Sequence, residues 1–182
     1  MRRLSLAFFI TVIVGAVGSV LVAHYDELLP TRWQTYTPQD RSFSLELPGT
    51  PREVTTQVAL EDGGRIILHM VTTQPNDHMA YSCAYGERED VNGKTADQVL
   101  DSARDGSLRK IQGTLLSQKR VTVRGHPGLE FQATACNNSI VDARILLVSS
   151  RIYMMMAVAT ERSVDTKAAT THVRLIKAQL VP

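Results

Sequence analysis

The stretch RIYMMMAVAT, residues Arg151 to Thr160, holds the densest set of metal-capable side chains in the chain: three consecutive methionines. Thioethers suit soft ions such as copper(I), but such a site also needs thiolate, thioether or imidazole groups converging on one point. In a strand successive side chains point to opposite faces, so Met154 and Met156 fall with Ile152 and Val158 while Met155 falls with Tyr153 and Ala157. Three adjacent methionines therefore cannot close on one ion from a regular strand. Both faces of this run are apolar, as are those of ARILLV before it, which is the pattern of strands covered on both sides. Methionine there fills irregular gaps, and packing is the expected role.

Cys83 and Cys136 are the two cysteines. An N-terminal segment described below places them outside the cytoplasm, where a disulfide persists, so they form a candidate bridge. Strand parity opposes it. In LEFQATAC, Leu129, Phe131, Ala133 and Ala135 share one face and Cys136 falls with Glu130, Gln132 and Thr134; Cys83 falls with Met79, Tyr81 and Tyr85. One set reads as solvent-facing and the other as core, so a bridge requires a bulge near Cys136 or a meeting beyond its strand. The alternative is two unpaired cysteines.

The five histidines, His24, His69, His78, His126 and His172, are scattered. None lies three to five residues from another histidine or a cysteine, the spacing zinc sites use. His69 and His78 with nearby acids are the set most open to assembly by the fold. Asp97, Asp101 and Asp105 recur every four residues, which reads as a solvated helix stripe partnered by Arg104 and Lys110 rather than a carboxylate pair for hydrolysis. The Asn137-Asn138-Ser139 triplet fits a glycosylation acceptor, but a β-turn is the simpler reading. No nucleophile elbow, zinc-protease helix, phosphate loop or EF-hand ligand order occurs. No catalytic, cofactor or metal site is assigned.

The elements that must carry these residues follow from hydrophobic periodicity. SFSLELP, EVTTQVAL, RIILHMVTTQ and MAYSCAYGE read as four strands separated by PGTP, EDGG and PND. Ala96, Val99, Leu100 and Ala103 then mark an amphipathic helix over 95–111 with Thr95 as its cap. Four further strands, LLSQKRVTV, LEFQATA, IVDARILLV and RIYMMMAVAT, follow with short turns at RGHPG, CNNS and SS, a spacing that favours antiparallel neighbours. A second helix is expected over 163–181, with Ser163 as cap and a loose apolar stripe of Val164, Ala168, Val173, Ile176 and Leu180. Strands, helix, strands, helix is an α+β order built on an antiparallel sheet with helices on its faces.

Ahead of this domain, Met1, Arg2 and Arg3 precede an uncharged run from Leu4 to Ala23. Such a run of about 20 residues at about 1.5 Å each spans a hydrocarbon core, and the arginines keep the N-terminus cytoplasmic. Residues 1–24 are thus expected to be a signal anchor, 25–31 a linker and 32–182 an extracytoplasmic α+β domain. A cleaved signal peptide, leaving a secreted or periplasmic domain, is the alternative; the run is long for one, and Leu21 stands where a small residue is preferred. A formal net charge of +2 with acids and bases interspersed argues against a nucleic-acid partner, since phosphate binding needs clustered cations. The 43% hydrophobic content suffices for one core-bearing domain.

Trp33, Tyr36, Pro38 and Phe43, then LPGTP from Leu47 to Pro51, resemble the start of exported bacterial domains with a PsbP-like fold. Tyr81, the turn GHPGLEF from Gly125 to Phe131, and ARILLVSSRIYMMMA from Ala143 to Ala157 are similar to its later strands. The resemblance implies an α-β-α sandwich around an antiparallel sheet, in proteins that dock to larger assemblies and carry no catalytic motif to transfer. The expected function is a non-catalytic binding or assembly module with a protein partner, contacting it through the loops EDGG, PND and RGHPG. The alternatives are an extracytoplasmic enzyme, or a metal-binding protein, whose site is assembled from sequence-distant histidines and acids.

Overall fold

The computed structural model describes residues 32–59, 65–76, 78–87, 93–135, 139–159 and 179–180. After β1 (Trp33–Tyr36) and β2 (Phe43–Pro48) come β3 (Arg52–Ala59), β4 (Arg65–Asn76) and β5 (Met79–Glu87). Helix α1 (Ala96–Ile111) leads to β6 (Thr114–Val123), β7 (His126–Thr134), β8 (Ile140–Val148) and β9 (Arg151–Ala159), and β10 is Gln179–Leu180. Seven strands form one antiparallel sheet in the order β3-β4-β5-β9-β8-β7-β6; β1, β2 and β10 form a second, small one in the order β1-β2-β10.

The large sheet is two meanders, β3-β4-β5 and β6-β7-β8-β9, joined where β9 pairs with β5 from Met79↔Ala159 to Glu87↔Arg151. Helix α1 carries the chain from the centre of the sheet to its far edge. Thr95 starts this helix: its hydroxyl accepts from the Gln98 N–H, and the Gln98 side chain accepts from the Thr95 N–H. That reciprocal capping box satisfies two donors the first turn leaves free. Thr95→Ala is expected to lower stability by about 1 kcal/mol in a urea titration. At the other end Gln112 takes the left-handed conformation at φ 49°.

Alternation along the strands generates two cores. On one face Leu129, Phe131, Ala143, Ile145, Ile152 and Met156 meet Val99 and Leu100 of α1. On the other, Val71, Tyr81, Cys83, Tyr85, Tyr153 and Met155 meet Tyr36, Phe43, Leu45 and Leu47 of the small sheet. Gly86 is required by packing, because a methyl group there would meet the Ile67 carbonyl oxygen and lie 3.1 Å from Leu68 Cδ2.

The antiparallel sheet and the helix over 96–111 agree with expectation, but a full α-β-α sandwich is not what the described residues form. One face carries α1; a β-layer covers the other. Of the expected helix over 163–181, residues 163–178 and 181 lie outside the described residues, and Gln179–Leu180 pair as a strand with Ser44 and Phe43. Strand β2 has a free backbone ladder on that side, and completing it outweighs a loose helical stripe. Among the described residues no helix is long and apolar enough to cross a membrane. Leu4–Ala23 lies outside them.

Candidate functional site

The methionines divide as alternation requires. Met155 is buried in the core facing the small sheet. Met156 is buried in the core facing α1, with Met154 half-buried beside it, and the Ser107 hydroxyl lies 3.2 Å from Met154 Sδ.

Cys83 carries a free thiol that is 2% exposed. Burial pushes that thiol up to about 12, so at neutral pH it holds its proton. Cys136 lies outside the described residues. The parity argument against a bridge needs correction, because the face of Glu130, Gln132 and Thr134 is the face of Tyr81 and Cys83. The register runs Cys83↔Met155, Met155↔Arg144, Arg144↔Glu130 across four strands. Thr134, the last residue of β7, pairs with Ile140, which pairs with Ala159 and so with Met79. Thr134 is therefore three strands and four residues from Cys83, about 19 Å at usual sheet spacings. Native protein is expected to leave Cys83 unlabelled by a thiol reagent, and denatured protein to label it; native labelling at Cys83 refutes the buried position.

His69 and His78 are not brought together. His69 Nδ1 is 3.1 Å from Thr55 Oγ1, and its ring stacks on Tyr85 with centroids 5.2 Å apart. His78 sits in the turn before β5, its backbone N–H donating to Asn76 Oδ1 at 2.9 Å. Met79 and Tyr85 stand six positions apart along β5, about 20 Å. His126 opens β7, while His24 and His172 lie outside the described residues. Among the described residues no three His, Cys, Asp or Glu side chains gather as a ligand set.

Three groups of charged residues are occupied with one another. Arg104 pairs with Asp101 at 2.7 Å and Asp105 at 2.8 Å, and Arg120 of β6 reaches Asp101 at 2.7 Å and Asp97 at 3.3 Å. The acidic stripe thus clamps α1 to the sheet edge, and Arg120, not visible as a partner from spacing, does much of this. Arg151 joins Asp40 at 2.8 Å to Glu87 at 3.1 Å and lies 6.0 Å from the Tyr85 ring centroid. Around it Phe43 packs edge-on to Tyr85 and Tyr153. Burial and a hydrogen bond to Tyr85 push the Tyr36 hydroxyl well above its ordinary range, so it holds its proton. Across β6, β7 and β8, Glu130 is held between Lys119 and Arg144.

Partial burial favours a neutral Glu130, but hydrogen bonds and charge from Arg144 and Lys119 outweigh it and lower the carboxyl below its ordinary value. A carboxyl lowered on folding adds stability above its unfolded pKa, and loses it as pH falls through the folded one. Glu130→Gln is therefore expected to cost stability at pH 7, by an amount that shrinks as pH falls through the acidic range. Parallel urea titrations check this; a constant difference refutes the assignment.

The proposed contact loops are only partly in view. Residues 61–64 and Asp77 lie outside the described residues, Pro75 and Asn76 end β4, and in RGHPG only Arg124 and Gly125 form the turn. The feature missed in the sequence is the contrast between the two edges of the large sheet. Edge β6 carries Lys119 and Arg120 and a register shift between Leu115 and Ser117, devices that keep other strands away. Edge β3 pairs with β4 from Arg52↔Thr72 to Ala59↔Arg65 with no shift, and from Val54 to Ala59 it has no charge, proline or glycine. Val54 is 38% exposed on one face of this hairpin and Ile67 57% exposed on the other. The run VTTQVA was the available signal, but whether a strand is an edge depends on strand order.

No known protein family and no curated protein matches the chain. Among solved structures it is similar to the solution structure of cyanobacterial PsbP (CyanoP) from Synechocystis, with TM-score 0.54 and 12% identity over 85% of this chain and 95% of that one. It also matches a Pseudomonas aeruginosa protein of unknown function, with TM-score 0.43 and 12% identity over 83% of this chain and 97% of that one. At such identity a likeness speaks to architecture alone. The fold of this chain is PsbP-like: a mostly antiparallel sheet with one helix among its described residues.

Proposed function

We propose that the chain is a non-catalytic binding or assembly module, exposed outside the cytoplasmic membrane and tethered by its N-terminal segment or released after cleavage. The observation that carries this reading is edge β3, which among the described residues is a row of unpaired backbone donors and acceptors flanked by exposed Val54 and Ile67. Extended segments add to such edges through main-chain hydrogen bonds, with side-chain pockets supplying selectivity. Supporting it, the arginines of the three ionic clusters are engaged with carboxylates, the described thiol is sealed, and His69 stands apart from His78.

A photo-crosslinking residue placed at Val54, Ile67 or Arg124 of the full chain in native membranes tests this, with Gln118 on the opposite edge as control. Defined protein adducts are expected at positions 54 and 67 and none at 118. Adducts equal at all positions, or a stoichiometric metal found by elemental analysis of protein purified without chelator, would overturn the reading.

A further inference from the structure

We infer that the occupant of edge β3 is β3 of a second copy of this chain, the two large sheets joining antiparallel into one continuous sheet across a two-fold axis. This deepens the binding reading by naming its partner, and it rests on that reading. The argument is the self-complementarity of the strand in one register.

With Thr56 opposite Thr56 of the second copy, Val54 meets Val58 of the second copy on one face, and Thr55 meets Gln57 of the second copy on the other. Both pairings occur twice by symmetry. Neither opposes like charges, and the β-branched pairs are of the kind that stabilise antiparallel ladders. At each end Glu53 meets Ala59 of the second copy, whose own neighbour on β4 is Arg65. Glu53 and Arg65 are both exposed, and neither makes an ion pair within its own chain among the described residues. In this register Glu53 and the second copy's Arg65 lie on one face, with Cα atoms two strand spacings apart, about 10 Å. The long side chains of Glu53 and Arg65 span this distance, so two ion pairs bracket the seam.

The alternatives within the molecule are weaker. Edge β6 is guarded by Lys119 and Arg120, and a dimer through it would bring like charges together. The two-fold stands normal to the sheet, so both small sheets lie on the same side of the dimer. The two chains therefore enter β1 at Arg32 on that side, which suits two N-terminal anchors in one membrane.

The test uses the full chain in detergent micelles. Sedimentation with the micelle contribution subtracted is expected to show a dimer at micromolar concentration. Thr56→Cys under mild oxidation is expected to trap it through a bond joining position 56 of both copies, while Gln118→Cys is not. Thr56→Lys sets two ammonium groups against each other and is expected to give monomer. Glu53→Arg is expected to weaken the dimer about tenfold, and Glu53→Arg with Arg65→Glu to restore it. Positions 53 and 65 are exposed, so this pair carries the test even where Thr56→Lys fails to fold. A wild-type chain monomeric up to about 100 µM, or a dimer indifferent to the charge reversal, would overturn the inference. A monomer that still gives adducts to another protein at position 54 refutes self-pairing alone and leaves the binding reading standing.

Discussion

Phe43→Ala is expected to lower unfolding free energy by about 3–5 kcal/mol, in the range of buried phenylalanine truncations. Phe43 is 1% exposed and meets the Tyr85 ring at 4.9 Å, the Tyr153 ring at 5.4 Å and the Tyr36 ring at 6.2 Å. It lies in β2, so the ring is what seats the small sheet on the large one. Both the lost transfer energy and the unfilled cavity contribute, since three surrounding aromatic rings fixed by their own strands collapse poorly into the space. Against a typical domain stability of about 5–15 kcal/mol, that loss is a large fraction of the whole. A urea titration followed by tyrosine and tryptophan fluorescence checks it; a change under about 1 kcal/mol would show that the small sheet is not anchored through this residue.

The second large effect concerns the methionine run. Met155→Ala is expected to cost about 2–5 kcal/mol, because Met155 is buried between the large sheet and the small one. Met154→Ala, at a half-buried position beside α1, is expected to cost less than half as much. A packing role predicts this inequality and a thioether metal site does not, since a shared ion would depend on both sulfurs. Comparing the urea midpoints with and without added copper(I) separates the two: a midpoint raised by copper in wild type and lost in both variants would overturn the packing assignment.

Much of the architecture was legible because periodicity is a local property. The alternation in β2 and β5 and the three-four spacing of Ala96, Val99, Leu100 and Ala103 each state which side of an element is apolar. Thr95 followed by Gln98 marks a helix start in the same way. Strands β1 and β10 were not legible, since four and two residues carry no period and exist as strands through pairing with β2. The faces of β7 were told apart correctly, but their assignment to the two sides of the sheet was not. Alternation separates Leu129 and Phe131 from Glu130 and Gln132, yet it cannot say which set joins Tyr81 and Cys83 of a strand three places away.

The sequence by itself determined the α+β class, the antiparallel habit, the helix over 96–111 and the division of Met154, Met155 and Met156 between two faces. Each depends on residues within a turn or two of one another, where chain geometry leaves few choices. Only the tertiary structure decided that Arg151 meets Asp40, that Arg120 clamps α1, that His69 and His78 stand far apart, and that, among the described residues, β3 rather than β6 is the unguarded edge. Those are matters of strand order, and strand order is settled by burying both faces of the sheet at once.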